Sequence, residues 1–271
     1  MTTRLFVLGS GSKGNCFAIQ SEGATLLVEA GFSAREIERR AARVGLALET
    51  VVGIVLTHEH GDHACGAGRL VRRLGVPVLT APGTYGALAG ELDPCTHHAV
   101  GLGLRSRVGP FTVEACPISH DAAEPVAVAV ECADGVRIGV ASDLGRPTAA
   151  VRYLLRNLTA VVLEANFDEV MLRTSGYPPS VQQRIAGHGG HLSNRACAEL
   201  LCEVHHAGLG TVVLAHLSQR CNSEAEARGA VEPALRRVGF AGRVHVAAQH
   251  APLDPLDIAP AGGQLALRFG A

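Results

Sequence analysis

Residues 53–63 read Gly-Ile-Val-Leu-Thr-His-Glu-His-Gly-Asp-His. The apolar, largely β-branched run Gly53 to Leu56 reads as a buried strand. Ala64 to Leu74, which mixes small, apolar and Arg residues, reads as a helix. His58, His60, Asp62 and His63 therefore sit in a tight loop at the C-terminal end of a strand. In a layered α/β protein that is where ligands bind.

The loop has a definite chemistry. Neutral imidazole and carboxylate bind Zn, Mn or Fe(II), and the cluster has no thiolate to favour a closed structural zinc. A turn can aim some side chains at one pole and the rest at another, which suits two metals about 3.5–4 Å apart. Cys65, two residues past His63, reads as a small helix-packing residue.

The same pattern recurs along the chain. Leu5 to Leu8 reads as a strand entering Gly9-Ser10-Gly11-Ser12-Lys13-Gly14-Asn15, either a hairpin turn or a backbone cradle for phosphate. Cys16–Gln20 and Thr25–Ala30 read as strands. Ser33 is placed to cap a helix to Val44, closed by Gly45, with Arg35, Arg39, Arg40 and Arg43 on a solvated face. Val76 to Leu79 reads as a strand, Pro82 to Leu88 as a helix, and His97 and His98 as surface residues. Phe111–Ile118 alternates as a strand and ends at His120. Val126–Glu131 and Val136–Ala141 form a hairpin that ends at Asp143.

Beyond Asp143, a helix is expected from Thr148 to Asn157, and a strand Ala160–Leu163 ending at Glu164. A helix over Ser180–Ala186 precedes a glycine-rich loop carrying His191, and Ser193 is placed to cap the next helix, to Ala207. The strand Thr211–Ala215 ends at His216. Asn222 or Ser223 caps a helix to Val238, and Val244–Ala247 and Gln264–Phe269 complete the strands. The reading is one domain over residues 1–271, two packed sheets with helices outside, a four-layer αββα sandwich. It consists of two halves, about 1–145 and 146–271.

At 271 residues and 47% hydrophobic, the chain can bury a large core. A net charge of −1 argues against a general polyanion-coating protein but leaves room for a local basic groove. Lys13 is the only lysine. The 8 cysteines are scattered with no C-x-x-C pair. No run has a signal-peptide core or the length of a membrane span, so a reduced, cytoplasmic protein is expected.

His-x-His-x-Asp-His with polar residues at repeated strand ends resembles the metallo-β-lactamase-fold hydrolases over essentially the whole chain. The resemblance implies two divalent ions, Zn or Mn with Fe possible. His58, His60 and His120 would hold one, Asp62, His63 and His216 the other, and Asp143 would bridge them. Leu-Glu-Ala-Asn, Gly-His-Leu-Ser and Leu-Ala-His-Leu-Ser resemble the phosphodiesterase branch that includes tRNase Z. There Glu164 and His191 would form a proton-donating pair. Gly-Ser-Gly-Ser-Lys-Gly-Asn, Ser-His-Asp-Ala-x-x-Pro and Glu-Ala-Asn-Phe-Asp are similar to the bacterial, cytoplasmic YycJ/WalJ exonucleases, which act 5′ to 3′ on double-stranded DNA. The chain is too short for the β-CASP insertion of RNase J-type nucleases. Cys221-Asn222 departs from the paired Asn of the branch.

The implied reaction is in-line displacement at phosphorus by a metal-bridging hydroxide. Asp62, Glu164 and His191 are then the catalytic groups, with Lys13, Ser193, Asn194 and Arg195 as candidate contacts to a nucleic-acid substrate, DNA before RNA. The alternative is a hydrolase of a small cyclic phosphodiester or a thioester, and the Glu164–His191 pair speaks against the thioester. A metal-bound scaffold without turnover is the reading from another class. Neither metal identity nor oligomeric state is encoded in these patterns.

Overall fold

The computed structural model describes residues 2–259. In chain order the elements are β1 (Thr3–Gly9), β2 (Cys16–Ser21), β3 (Ala24–Val28), α1 (Ala34–Arg43), β4 (Val51–Val55), α2 (Gly61–Ala64), α3 (Ala67–Leu74), β5 (Val78–Thr80), α4 (Pro82–Leu92) and β6 (His97–Ala99). Then follow β7 (Arg105–Val108), β8 (Phe111–Pro117), β9 (Val126–Cys132), β10 (Arg137–Ala141), α5 (Ala149–Leu154), β11 (Ala160–Glu164), α6 (Glu169–Thr174) and α7 (Pro179–Ala186). The last are α8 (Asn194–Val204), β12 (Thr211–Ala215), α9 (Glu224–Arg237), β13 (Arg243–Val246) and β14 (Leu256–Ile258).

The strands form two sheets, ordered β14-β1-β2-β3-β4-β5-β6 and β13-β12-β11-β10-β9-β8-β7. Strand alternation builds three cores from these two sheets. Leu5, Val7, Ile19 and Leu26 meet Val113, Val128, Ile138, Val162 and Val213 between the sheets. The alternate residues of the first sheet, Phe6, Leu8, Leu27 and Ile54, face outward onto Ile37 of α1 and Leu70 of α3. Those of the second, Ala129, Val161, Leu163 and Val212, face Val151 of α5, Leu201 of α8 and Val231 of α9. The result is the expected αββα sandwich.

Several local expectations need correction. The sheets divide between β6 and β7, not near Arg146, and β14 returns to the first sheet. The helix expected over Ala64–Leu74 breaks after α2, because Gly66 N bonds across to Ala30 O (2.8 Å). A Cβ at Gly66 would lie 2.3 Å from Phe32 O, so only glycine permits that crossing. Cys65, in the break, is exposed and not packed. His97 is not a free surface residue: it lies in β6, stacked on Tyr85 at 4.1 Å. Arg40 leaves the solvated face assigned to it. It is buried, donates to Leu8 O (2.9 Å) and Gln249 O (3.0 Å), pairs with Glu36, and lies over the Phe32 ring. The expected strand Gln264–Phe269 lies outside the described residues.

Parallel pairing places the functional residues. In register, Ala141 faces Leu163 and Glu164 faces Ala215. Asp143, Glu164 and His216 therefore emerge at one edge of the second sheet. β4 delivers the His58–His63 loop to the matching edge of the first.

Candidate metal centre

The residues expected at the site converge at this shared edge. His58, His60 and His120 form one donor set, and Asp62, His63 and His216 another. In each set the donor atoms lie within 4.8 Å of one another. Asp143 stands between them, with Oδ2 2.9 Å from His63 Nε2 and 3.9 Å from His58 Nε2, and Oδ1 3.8 Å from His120 Nε2.

The hydrogen bonds behind the imidazoles decide which nitrogen each presents. Thr57 donates its hydroxyl proton to Glu29 (2.5 Å), so it accepts from His58 Nδ1 (2.9 Å), and the His58 Nε2 lone pair is free. His120 gives Nδ1–H to Gly189 O (3.1 Å). His216 gives Nδ1–H to Glu164 (3.0 Å) and turns Nε2 to Asp62 (3.4 Å). His63 Nδ1 faces Glu29 at 3.3 Å and its Nε2 faces Asp62 at 3.4 Å. Outer partners of this kind fix tautomer and ring angle in metal sites.

The donor sets fit divalent ions. His58 Nε2 is buried with no hydrogen-bond partner among the described residues. An orphaned buried polar atom is costly unless something binds it. His60 Nδ1 and His120 Nε2 are 3.3 Å apart. Two Zn–N bonds of about 2.0–2.1 Å at a tetrahedral centre put their nitrogens about 3.3–3.4 Å apart. Asp143 and His216 are held at positive φ, 53° and 54°, as is Glu29 at 68°. Non-glycine residues in that region cost on the order of 1–3 kcal/mol each and cluster at functional sites.

Electrostatics separates the imidazoles. Burial drives His58 down to about 2, so it is neutral, the form a ligand requires. Burial also lowers His120. Burial opposes the charged form of His191 and His216, yet the carboxylates of Glu164 and Asp143 prevail and raise them to about 10 and about 9. Burial would raise Asp143 and Glu164, but neighbouring imidazoles hold both low. His191 Nδ1 is 2.8 Å from Glu164 and 3.2 Å from Asp143, so both carboxylates engage the same ring nitrogen.

The expected substrate contacts fare differently. Ser193 caps α8 through Ala196 N, and Asn194 is buried in an amide pair with Asn222 at 2.8 and 2.9 Å. Both side chains are engaged by the fold. Arg195 is held by Glu169 and Glu199. Lys13 is exposed, with its backbone N–H on Gln249. Two supporting residues escaped the sequence reading. Glu29 is the acid behind Thr57 and His63. Asn15 bonds Asp62 O and lies 3.2 Å from His63 Nε2. Glu29 carried one usable signal, a carboxylate directly after the apolar β3.

The metallo-beta-lactamase superfamily profile matches residues 9–131. The exodeoxyribonuclease YycJ of Bacillus anthracis is 33% identical over 86% of this chain and 89% of its own. The chain belongs to the metallo-beta-lactamase superfamily, in the YycJ/WalJ branch. The exodeoxyribonuclease WalJ of Streptococcus pneumoniae, 30% identical over 80% of this chain and 82% of its own, is a second relative. Among solved structures, the metallo-beta-lactamase fold protein YhfI of Bacillus subtilis superposes with a TM-score of 0.69. It is 16% identical over 93% of this chain and 99% of that one, which speaks for the shared fold. The superfamily and the donor sets together mark a divalent-metal centre.

Proposed function

We propose that this chain is a dinuclear metal-dependent exonuclease that degrades double-stranded DNA from the 5′ end in the cytoplasm. It is a hydrolase of phosphodiester bonds. The observation that carries this reading is His191, held through Nδ1 by Glu164 at 2.8 Å and partly exposed beside the two donor sets. A simple hydrolase of activated esters has no need of a half-buried imidazole held protonated by a carboxylate. A phosphodiesterase must protonate a poor alkoxide leaving group. Both named relatives, exodeoxyribonucleases, support DNA as substrate.

His58, His60 and His120 would hold one ion, Asp62, His63 and His216 the other, and Asp143 would bridge them. Bound there, such ions supply Lewis acidity to water and to phosphate oxygens. The remaining work falls to the chain. Glu164 accepts from Leu144 N (2.6 Å) and Leu192 N (3.1 Å), which fixes its carboxylate against both sheet and loop. It thereby orients His216 for ligation and keeps His191 protonated at neutral pH. His191 Nε2–H then delivers its proton to the departing 3′ oxygen, opposite the attacking water.

The direct test is a duplex labelled at one 5′ end, incubated with chain loaded with Zn or Mn and with chelated chain. Metal-dependent release of labelled mononucleotide is expected. Hydrolysis of a thioester with no cleavage of duplex or bis-p-nitrophenyl phosphate would overturn the proposal. Cleavage of a cyclic phosphodiester alone would transfer it to a small substrate.

A further inference from the structure

A cavity of about 650 Å³ opens among α5, α6, α7 and α8. Of the residues gathered at the metal centre, His191 alone lines it. Its inner surface is apolar where Phe167, Leu192 and Leu200 reach it. Three wall carboxylates are already paired: Glu203 with Arg152 at 2.5 Å, and Glu169 and Glu199 with Arg195 at 3.0 and 2.9 Å. Arg146 and Arg173 also line the cavity, and neither forms an ion pair among the described residues. The wall thus offers two uncommitted guanidiniums, an apolar surface, and the amides of Gln182 and Gln183.

That combination selects an anion attached to a flat, partly apolar body. A guanidinium presents a planar fork of donors matched to phosphate oxygens. The volume falls in the range of about 300–1,000 Å³ usual for small-molecule sites. It suits one nucleotide and not a duplex. Position adds direction: a group seated here has His191 at its edge, on the side that receives the proton.

We infer that this cavity receives the 5′-terminal nucleotide of the strand being degraded, with its 5′-phosphate on Arg146 and Arg173. This rests on the phosphodiesterase reading above. The 3′ oxygen of the seated nucleotide then lies at His191. Hydrolysis breaks the bond from phosphorus to that oxygen. The water oxygen joins phosphorus, the proton of His191 goes to the 3′ oxygen, and a nucleoside 5′-monophosphate leaves. The next nucleotide retains a 5′-phosphate, so every product end is again a substrate end. The cavity thereby supplies polarity.

Two measurements test the assignment. In the first, 2′-deoxyadenosine 5′-monophosphate is titrated calorimetrically into metal-loaded chain, with deoxyadenosine as the control. Binding of the monophosphate should weaken at least tenfold in Arg146→Ala/Arg173→Ala, and the double Lys variant should recover much of it. Deoxyadenosine should bind weakly to all three. A melting curve matching the parent checks the fold of each variant. Unchanged monophosphate affinity in the Ala variant overturns the inference. In the second, duplexes ending in 5′-phosphate or 5′-hydroxyl are compared by kcat/KM, with at least a tenfold preference for phosphate expected, carried mainly in KM and lost in the Ala variant. Equal cleavage of both ends overturns the cavity assignment and leaves the exonuclease reading standing. Arginine-dependent monophosphate binding without any phosphodiester turnover supports the cavity and removes that reading.

Discussion

At the scale of single residues, the centre is a set of imidazoles whose states are set from behind. His58 is neutral because it is buried with Thr57 on its Nδ1, and His191 is cationic because Glu164 and Asp143 face it. The same carboxylates also raise His216 of the second donor set, so the proposed acid role of His191 rests on its place outside the two donor sets. His191→Ala should lower kcat on duplex DNA by about 10²–10⁴-fold. It should cost far less on bis-p-nitrophenyl phosphate, whose leaving group departs without a proton. Equal losses on both substrates would remove His191 from the proton step. A pH effect follows from the same carboxylates. In metal-free chain the raised pKa of His216 and His191 adds stability that is complete below the ordinary histidine value of about 6.5. It is lost as pH rises through about 9 and about 10. The melting temperature of chelated protein should therefore fall between pH 6.5 and 9, while apparent metal affinity climbs as His216 gives up its proton. Melting curves in chelator and metal titrations across that range check both signs.

At the scale of elements, loops are fixed by backbone contacts that allow no side chain. The β3–α1 turn crosses the metal loop so closely that a Cβ on Gly31 would lie 1.7 Å from Asp62 O. Gly31→Ala should destabilise the chain by about 1–3 kcal/mol or more, since backbone cannot rotate away as a side chain can. It should also weaken metal binding at least tenfold by displacing Asp62. Denaturant unfolding and metal titration read the two effects. Such contacts explain what the sequence could and could not reveal. Strand ends bearing His120, Asp143, Glu164 and His216 were legible because an apolar run and its polar terminus are local. Glu29 ends an apolar run equally well, but it lies in no recognisable motif. Arg40 shares helical spacing with Arg39 and Arg43, and only folding brings Gln249 O to it from 209 residues away. β7 and β14 are four and three residues long, too short for a periodic signal.

At the scale of the whole molecule, the centre joins the two sheets. His58, His60, Asp62 and His63 follow β4 of the first sheet, whereas His120, Asp143 and His216 follow β8, β10 and β12 of the second. The glycine-rich turn reinforces the seam: His216 N donates to Ser10 Oγ at 2.8 Å, and Asn15 N to Asp62 O at 2.8 Å. Ions at such a seam bind the native state and not the unfolded chain. At a concentration 100 times Kd, one ion adds about 2.7 kcal/mol. For a chain of this size each kcal/mol moves the melting temperature by about 2–4 °C. Chelation should therefore lower it by on the order of 10 °C, in one cooperative transition if the sheets form a single unit. His120→Ala should shrink the shift, although it leaves the first-sheet loop intact. Hydrogen exchange discriminates further. A clip across the seam requires that chelation expose amides at the C-terminal ends of β4, β10 and β12 together, with the outer strands β7 and β14 unchanged. Loss of protection confined to residues 57–66 would mean that the ions order one loop and that the inter-sheet core alone holds the sandwich together.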